Sequence, residues 1–177
     1  MKMTNSFTIN ELLRSHLQVK ETLAVVIASA LIPFFIHLIP PFTNAPVGAV
    51  LLPMFYAPLV AVLLFRYHVG LIAAILAPVL NALITGAPAW PLTATLTIEL
   101  MAFVSLVHLF QPRIEIKWLV APLAFVATKA ISASIILLLP GLMEISAITY
   151  FGASFSNGLI GIVILTMIGY FTLKLKK

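Results

Sequence analysis

The chain has 177 residues, of which 62% are apolar and only 8% are charged, and its mean hydropathy is +1.17. This composition excludes an ordinary water-soluble domain, whose helices keep a polar face. The net charge of +5 does not indicate nucleic-acid binding, because the basic residues stand in short clusters between apolar stretches. The absence of cysteine excludes disulfides, thiolate metal sites and a cysteine nucleophile.

Six apolar segments follow one another along the chain, each close to the ~20 residues that cross a bilayer as a helix. Prolines, glycines and charged turns separate them. The predicted spans cover residues 22–38, 47–65, 69–85, 92–110, 118–139 and 150–173. Pro53 and Pro58 fall inside the second span, which we expect to be one bent and well-packed helix. No linker or internal repeat divides the chain, so residues 1–177 are predicted to form a single all-α membrane domain.

Lysines and arginines outside the spans fall on one side of the predicted membrane. They precede the first span (Lys2, Arg14, Lys20), lie between the second and third (Arg66) and the fourth and fifth (Arg113, Lys117), and follow the sixth (Lys174, Lys176, Lys177). The three opposite loops contain no lysine or arginine. Because short cytoplasmic loops carry the excess of these residues, both termini are predicted to be cytoplasmic. We expect a multi-pass protein of the cell (plasma) membrane with six transmembrane helices.

Two ionisable residues stand deep inside predicted spans, Glu99 in the fourth and Lys129 in the fifth. A charge at mid-bilayer costs about 2.5 to 3.5 kcal/mol, so such residues usually face the bundle interior and have a partner. Both lie about 11 residues, or ~16 to 17 Å, from the cytoplasmic end of their helix. We therefore predict that they pair. The pair either only fixes the register of two helices or faces a solute cavity.

Further polar residues lie on the outer side of this pair. Thr95 and Ser132 extend polar character along the same two helix faces, and Asn81 and Asn157 add amide groups from the third and sixth spans. We expect them to line a pocket open to the exterior. The alternative for each asparagine is ordinary interhelical hydrogen bonding, which contributes about 0.6 kcal/mol on average.

The sequence contains no pattern typical of a catalytic or metal site. Its four histidines, His16, His37, His68 and His108, are never four residues apart, and no HExxH motif is present. There is no aspartate, no GxSxG motif and no phosphate-binding loop. We predict that the protein is not an enzyme and holds no metal or cofactor, so any ATP would be hydrolysed by another chain.

Several of these features together resemble the substrate-binding S components of energy-coupling factor (ECF) transporters. They are the six short spans, the cytoplasmic termini, an AxxxA step at Ala24 and Ala28, and the stretch from Leu52-Pro53 through Asn81-Ala-Leu-Ile-Thr-Gly86-Ala-Pro88 to Ile98-Glu99-Leu100. The resemblance covers nearly the whole chain.

The resemblance implies capture of a vitamin or related micronutrient from outside the cell. It also implies that Ala24 and Ala28 contact a membrane coupling subunit, which two cytoplasmic ATPases drive. The implied solute pocket includes Trp90, Thr95, Glu99, Lys129, Tyr150 and Asn157. The charged pair would suit a zwitterionic or carboxylate-bearing solute, with Trp90 or Tyr150 covering an aromatic ring.

Two other functions remain open from the sequence. One is a stand-alone secondary transporter that couples its solute to protons through Glu99, although no inverted repeat is detectable. The other is a membrane scaffold protein whose ion pair is structural. The identity of the solute is left open.

Overall fold

A computed structural model describes residues 9–139 and 145–175, and it describes side chains from residue 18 onwards. The terminal lysines Lys2, Lys176 and Lys177 used for the predicted orientation lie outside the described residues. So do Pro140 and Glu144 of the loop before the last helix.

Seven α-helices and two short 3-10 turns make up the described structure, which contains no strand in these ranges. The helices are α1 (Ile9–His37), α2 (Val47–Leu51), α3 (Tyr56–Leu64), α4 (Tyr67–Thr85), α5 (Trp90–Arg113), α6 (Val120–Leu138) and α7 (Ala147–Leu175). The 3-10 turns are Pro53–Phe55 and Lys117–Leu119. Five stretches are long and apolar enough to cross a membrane: Gln18–His37, Tyr67–Thr85, Trp90–Arg113, Lys117–Leu138 and Ala147–Leu175. The protein is therefore all-α in its described parts, with the helices of a multi-pass membrane protein.

The helix ends follow local sequence rules with two differences from prediction. Gly86 ends α4 in the left-handed conformation (φ 72°), which glycine adopts without steric cost. Helix α5 continues through Pro112 to Arg113, three residues beyond the predicted end of the fourth span at residue 110. A proline in the last turn removes one backbone donor, while the guanidinium of Arg113 donates to the Leu109 carbonyl at 2.7 Å. Helix α1 begins at Ile9, well before the predicted start of the first span.

The second predicted span is not the single bent helix that we expected. It is divided into α2, the 3-10 turn and α3, and the break is at Leu52, whose φ of 55° is left-handed. Proline disfavours helical geometry at the residue before it, and Pro53 follows Leu52 directly. Pro58 is tolerated because it lies in the first turn of α3, where backbone N–H groups have no intrahelical acceptor. The Tyr56 hydroxyl donates to the Leu51 carbonyl next to the break.

Close packing against α7 stabilises the broken segment. A Cβ placed on Gly161 would lie 2.6 Å from Leu52 Cγ and 2.9 Å from the Leu51 carbonyl carbon, and one on Gly158 would lie 3.5 Å from Leu52 Cδ1. Small residues allow helices in a membrane to approach closely, where van der Waals packing drives association. Leu52 therefore packs directly against the two glycines of α7.

Helix α3 lies at the centre of the bundle. It contacts α1, α4, α5 and α7, while α4, α5, α6 and α7 pack in sequence around it. Phe55, before α3, packs edge to face against Phe103 of α5 and Phe125 of α6, with ring centroids 5.0 and 5.5 Å apart. Edge-to-face pairs of this kind add about 0.5 to 1.5 kcal/mol beyond burial. The unwound segment is thus fixed between α5 and α6.

Candidate functional site

A closed network of three polar side chains joins α5, α6 and α7. Lys129 Nζ donates to Glu99 Oε1 at 2.9 Å, to Glu99 Oε2 at 2.8 Å and to the Tyr150 hydroxyl oxygen at 3.2 Å. The Tyr150 hydroxyl in turn donates to Glu99 Oε1. The predicted pairing of Glu99 with Lys129 is confirmed, and Tyr150 is a third member of the network.

This network is shielded from solvent and surrounded by aromatic rings. Glu99 is 0% exposed and Lys129 is 5% exposed. Lys129 Nζ lies 5.1 Å from the ring centre of Tyr150, 5.5 Å from that of Phe125 and 6.0 Å from that of Phe55. Aromatic faces attract a cation, and a buried charge needs hydrogen-bonding partners to be tolerated. The rings and the hydrogen-bonding partners together stabilise the buried ammonium group of Lys129.

A cavity of about 530 Å³ lies beside the network. Its lining comes from the end of α1, the broken segment, the loop between α4 and α5, and the N-terminal halves of α5 and α7, with Lys129 contributed by α6. All these helix ends meet at one end of the bundle. Of the lysines and arginines with described side chains outside the network, Arg66, Arg113, Lys117 and Lys174 lie at the opposite helix ends, and Lys20 lies in the N-terminal half of α1. The volume is within the range of roughly 300 to 1,000 Å³ typical of small-molecule sites.

Most of the cavity wall is apolar. Leu52, Pro53, Met54 and Phe55 of the broken segment form one part of it. A regular helix would present only one of its faces to the cavity. Because the helix is broken here, four consecutive residues line the cavity wall. The same Leu52 conformation that interrupts the second span therefore builds the cavity.

A polar stripe on α7 forms another part of the wall. Tyr150, Ser154 and Asn157 follow at spacings of four and three residues, which places them on one helix face. The Ser154 hydroxyl donates to the Tyr150 carbonyl at 2.8 Å, so its oxygen can still accept. The Asn157 side chain has no hydrogen bond within the described part of the chain. Its amide therefore presents free donors and a free acceptor.

His37 places an imidazole at the cavity from the end of α1. Its Nδ1 lies 2.6 Å from the Pro33 carbonyl oxygen, which can only accept. The neutral ring must then carry its proton on Nδ1, leaving Nε2 as an acceptor. A Cβ on Gly48 would lie 3.1 Å from this Nε2, so glycine at that position leaves room for the ring.

Three of the seven predicted solute-binding residues line the cavity: Lys129, Tyr150 and Asn157. Glu99 lies behind Lys129 and outside the lining. Thr95 is 5% exposed, donates to the Pro91 carbonyl at 3.0 Å and is also outside the lining. A threonine in a helix commonly bonds back to the preceding turn in this way.

Asn81 and Trp90 also lie away from the cavity wall. Asn81 is 1% exposed, and its Nδ2 donates to the Ala87 carbonyl at 2.9 Å, while its Oδ1 has no partner within the described residues. It holds the loop whose Ala87 and Pro88 line the cavity, so its contact with the site is indirect. Trp90 begins α5 and is 60% exposed. Solute contact by these residues stays a prediction.

The two predicted partner-contact residues differ in their surroundings. Ala24 is exposed, whereas Ala28 is half-buried and packs against a small cluster that includes Val25, Ala61 and Ala73. Part of the AxxxA step is thus used for packing within the chain.

The sequence analysis missed His37 and Ser154 as cavity residues. Ser154 could have been found, because its spacing places it on one helix face with Tyr150 and Asn157. The wall contributed by Leu52 to Phe55 had no comparable pattern, since apolar residues in a span look alike whether they face lipid, the core or a cavity.

Together, the apolar helices and the cavity define the class: a multi-pass membrane protein, all-α in its described parts, with a small, mainly apolar cavity at one end. No family model, curated protein or solved structure matches the chain.

Proposed function

We propose that the protein is the substrate-capturing membrane subunit of an ATP-driven ECF-type importer for a vitamin or related micronutrient. The observation that carries this proposal is the cavity. It is large enough for such a solute, and three of the predicted site residues line it. It lies at the end of the bundle opposite the described cations.

The proposed topology has six spans with cytoplasmic termini in the plasma membrane. Five helices are long enough to cross, and the broken segment from Val47 to Leu64 would be the sixth. Unwound backbone at membrane depth is tolerated where protein covers it, and this segment packs against α1, α5 and α7. The positive-inside rule would place the cation-bearing end in the cytoplasm and the cavity at the outer surface.

Energy would come from partner proteins. The sequence has no nucleotide-binding loop, so the proposal assigns ATP hydrolysis to two cytoplasmic ATPases acting through a membrane coupling subunit. Helix α1 would dock on that subunit through Ala24 and the exposed part of Ala28.

The stand-alone proton-coupled transporter gains less support from the geometry. A proton-coupling carboxylate needs a route to water in at least one state, whereas Glu99 is 0% exposed and accepts from both Lys129 and Tyr150. The scaffold alternative accounts for the buried pair but leaves the cavity without a role.

Ligand binding tests the proposal first. The purified protein should gain thermal stability from at least one member of a panel of water-soluble vitamins, because a ligand that binds only the folded state stabilises it. Proton-driven uptake by this protein alone in liposomes would overturn the proposal in favour of a secondary transporter.

Docking on α1 is tested by co-purification. Ala24→Trp should reduce recovery of the coupling subunit and ATPases from membranes, since a large side chain prevents close helix approach. Ala130→Trp is the matched control, because Ala130 is also an exposed alanine but lies on α6. Equal recovery with both variants would count against docking through α1.

A further inference from the structure

The hydrogen bonding of Lys129 bears on the charge of the solute. An ammonium group has three protons, and Lys129 Nζ has three acceptors within the protein: both oxygens of Glu99 and the hydroxyl of Tyr150. No proton is left over for a solute carboxylate. Glu99 neutralises the charge of Lys129 from behind the cavity wall.

Among the described residues that line the cavity, Lys129 is the sole lysine or arginine, and no glutamate is present. A solute anion would therefore find no free lysine or arginine in the described wall to pair with. A solute cation would meet the ammonium of Lys129 without a free carboxylate. Either charge would lose its hydration in a mainly apolar cavity, which is unfavourable without pairing.

The free polar groups in the wall are an amide, a hydroxyl and an imidazole. Asn157 offers two N–H donors and a carbonyl acceptor, Ser154 offers an acceptor, and His37 offers Nε2 as an acceptor. Such a set complements a group that both donates and accepts, as a carboxamide, a lactam or an alcohol does. The apolar wall from Leu52 to Phe55 fits the body of a ring.

We propose that the cavity selects an uncharged solute, one with an apolar ring or chain and an amide-like or hydroxyl edge that hydrogen-bonds to Asn157. The inference rests on the proposed function, since it assumes that the cavity captures a solute. It differs from the carboxylate-bearing or zwitterionic solute expected from the sequence, because the charged pair is closed on itself.

The test compares solutes of matched shape and different charge. Riboflavin, nicotinamide and panthenol serve as uncharged probes, nicotinate, pantothenate and biotin as anions, and thiamine as a cation. Dissociation constants are measured by calorimetry on the purified full-length protein, after a thermal-shift screen at millimolar concentration. An uncharged probe should bind, and its charged counterpart, where the pair exists, should bind at least tenfold more weakly.

Other outcomes separate the two proposals. If an anion or cation binds within tenfold of the best uncharged probe, or more tightly, the charge inference is overturned and the solute-capturing function stands. If no probe binds, both proposals are overturned.

A second measurement tests the role of Asn157. Asn157→Leu removes the amide and should weaken binding of the uncharged probe roughly 3- to 10-fold, as expected for loss of hydrogen bonds between neutral groups. Asn157→Asp keeps the shape, removes the N–H donors and should weaken binding at least as much. Ser156→Ala is the control, because Ser156 is the exposed neighbour on α7 and does not line the cavity. Unchanged binding by both Asn157 variants would refute its assignment.

Discussion

The buried pair of Glu99 and Lys129 allows the sharpest test of the structure. Glu99→Gln leaves the Lys129 ammonium without its counter-charge, and Lys129→Met leaves the Glu99 carboxylate without its own. Because Glu99 is 0% and Lys129 5% exposed, water cannot replace the missing partner. Breaking a buried pair from one side typically costs about 3 to 5 kcal/mol, and we expect each single variant to lose that much unfolding free energy.

The double variant Glu99→Gln/Lys129→Met should recover much of the loss, since neither charge then remains buried alone. Replacement of a buried pair by neutral groups of similar volume is often close to neutral. We expect the double variant to lose at least ~2 kcal/mol less than the sum of the singles. Reversible unfolding in mixed detergent micelles, with increasing SDS, measures all three. Additivity within ~0.5 kcal/mol would show that the two groups do not interact.

Tyr150 completes this test, because it both accepts from Lys129 and donates to Glu99. Tyr150→Phe should cost about 1.5 to 3 kcal/mol, the range for hydrogen bonds to charged groups. Tyr170→Phe is the control on the same helix, since Tyr170 is 46% exposed. We expect it to stay within ~0.5 kcal/mol of the natural protein, as most surface substitutions do. Equal losses for the two tyrosines would contradict the network.

Two further predictions concern packing and buried polar groups. Gly161→Ala should destabilise by about 1 to 3 kcal/mol, because the added methyl overlaps Leu52 and the backbone beside it. Gly152→Ala has open space and should instead stabilise α7 by about 0.5 to 1 kcal/mol, so equal effects in SDS titration would contradict the close approach. The buried hydroxyl of Thr128 has no partner within the described residues, and Thr128→Val should raise the unfolding free energy by about 1 kcal/mol. A loss of stability in the same titration would indicate a missing partner.

Much of the fold could be predicted because a bilayer restricts what a sequence can do. Backbone groups in lipid must be bonded internally, so an apolar stretch of sufficient length is a helix almost irrespective of its residues. The stretches around α4 to α7 were placed within a few residues for this reason. The prediction of a single bent helix for the second span was wrong. Two prolines in one segment allow either a kink or a break, and the outcome depends on what packs against the freed backbone. Here Gly158 and Gly161 of α7 leave room for the side chain of Leu52, the residue at which the helix breaks.

The site could be predicted only at the residues whose charge is costly to bury in a membrane span. Glu99 and Lys129 stood out because a lone charge in a span is costly, and equal depth on neighbouring helices predicted their contact. Asn81 and Thr95 are also polar, but their short side chains reach nearby carbonyls: Asn81 bonds to Ala87 and Thr95 to Pro91. Polarity alone does not tell these local bonds from solute contacts.

The sequence by itself determined that this protein is a helical membrane protein with an ion pair between its fourth and fifth predicted spans. Length, hydropathy and the cost of buried charge act on each segment separately and can be read along the chain. Tertiary structure alone decided that Tyr150 closes the pair, that the segment around Leu52 unwinds, and that His37 and Asn157 face the same cavity. These features depend on the distances between helices and on which carbonyls and amides remain free once the helices have packed.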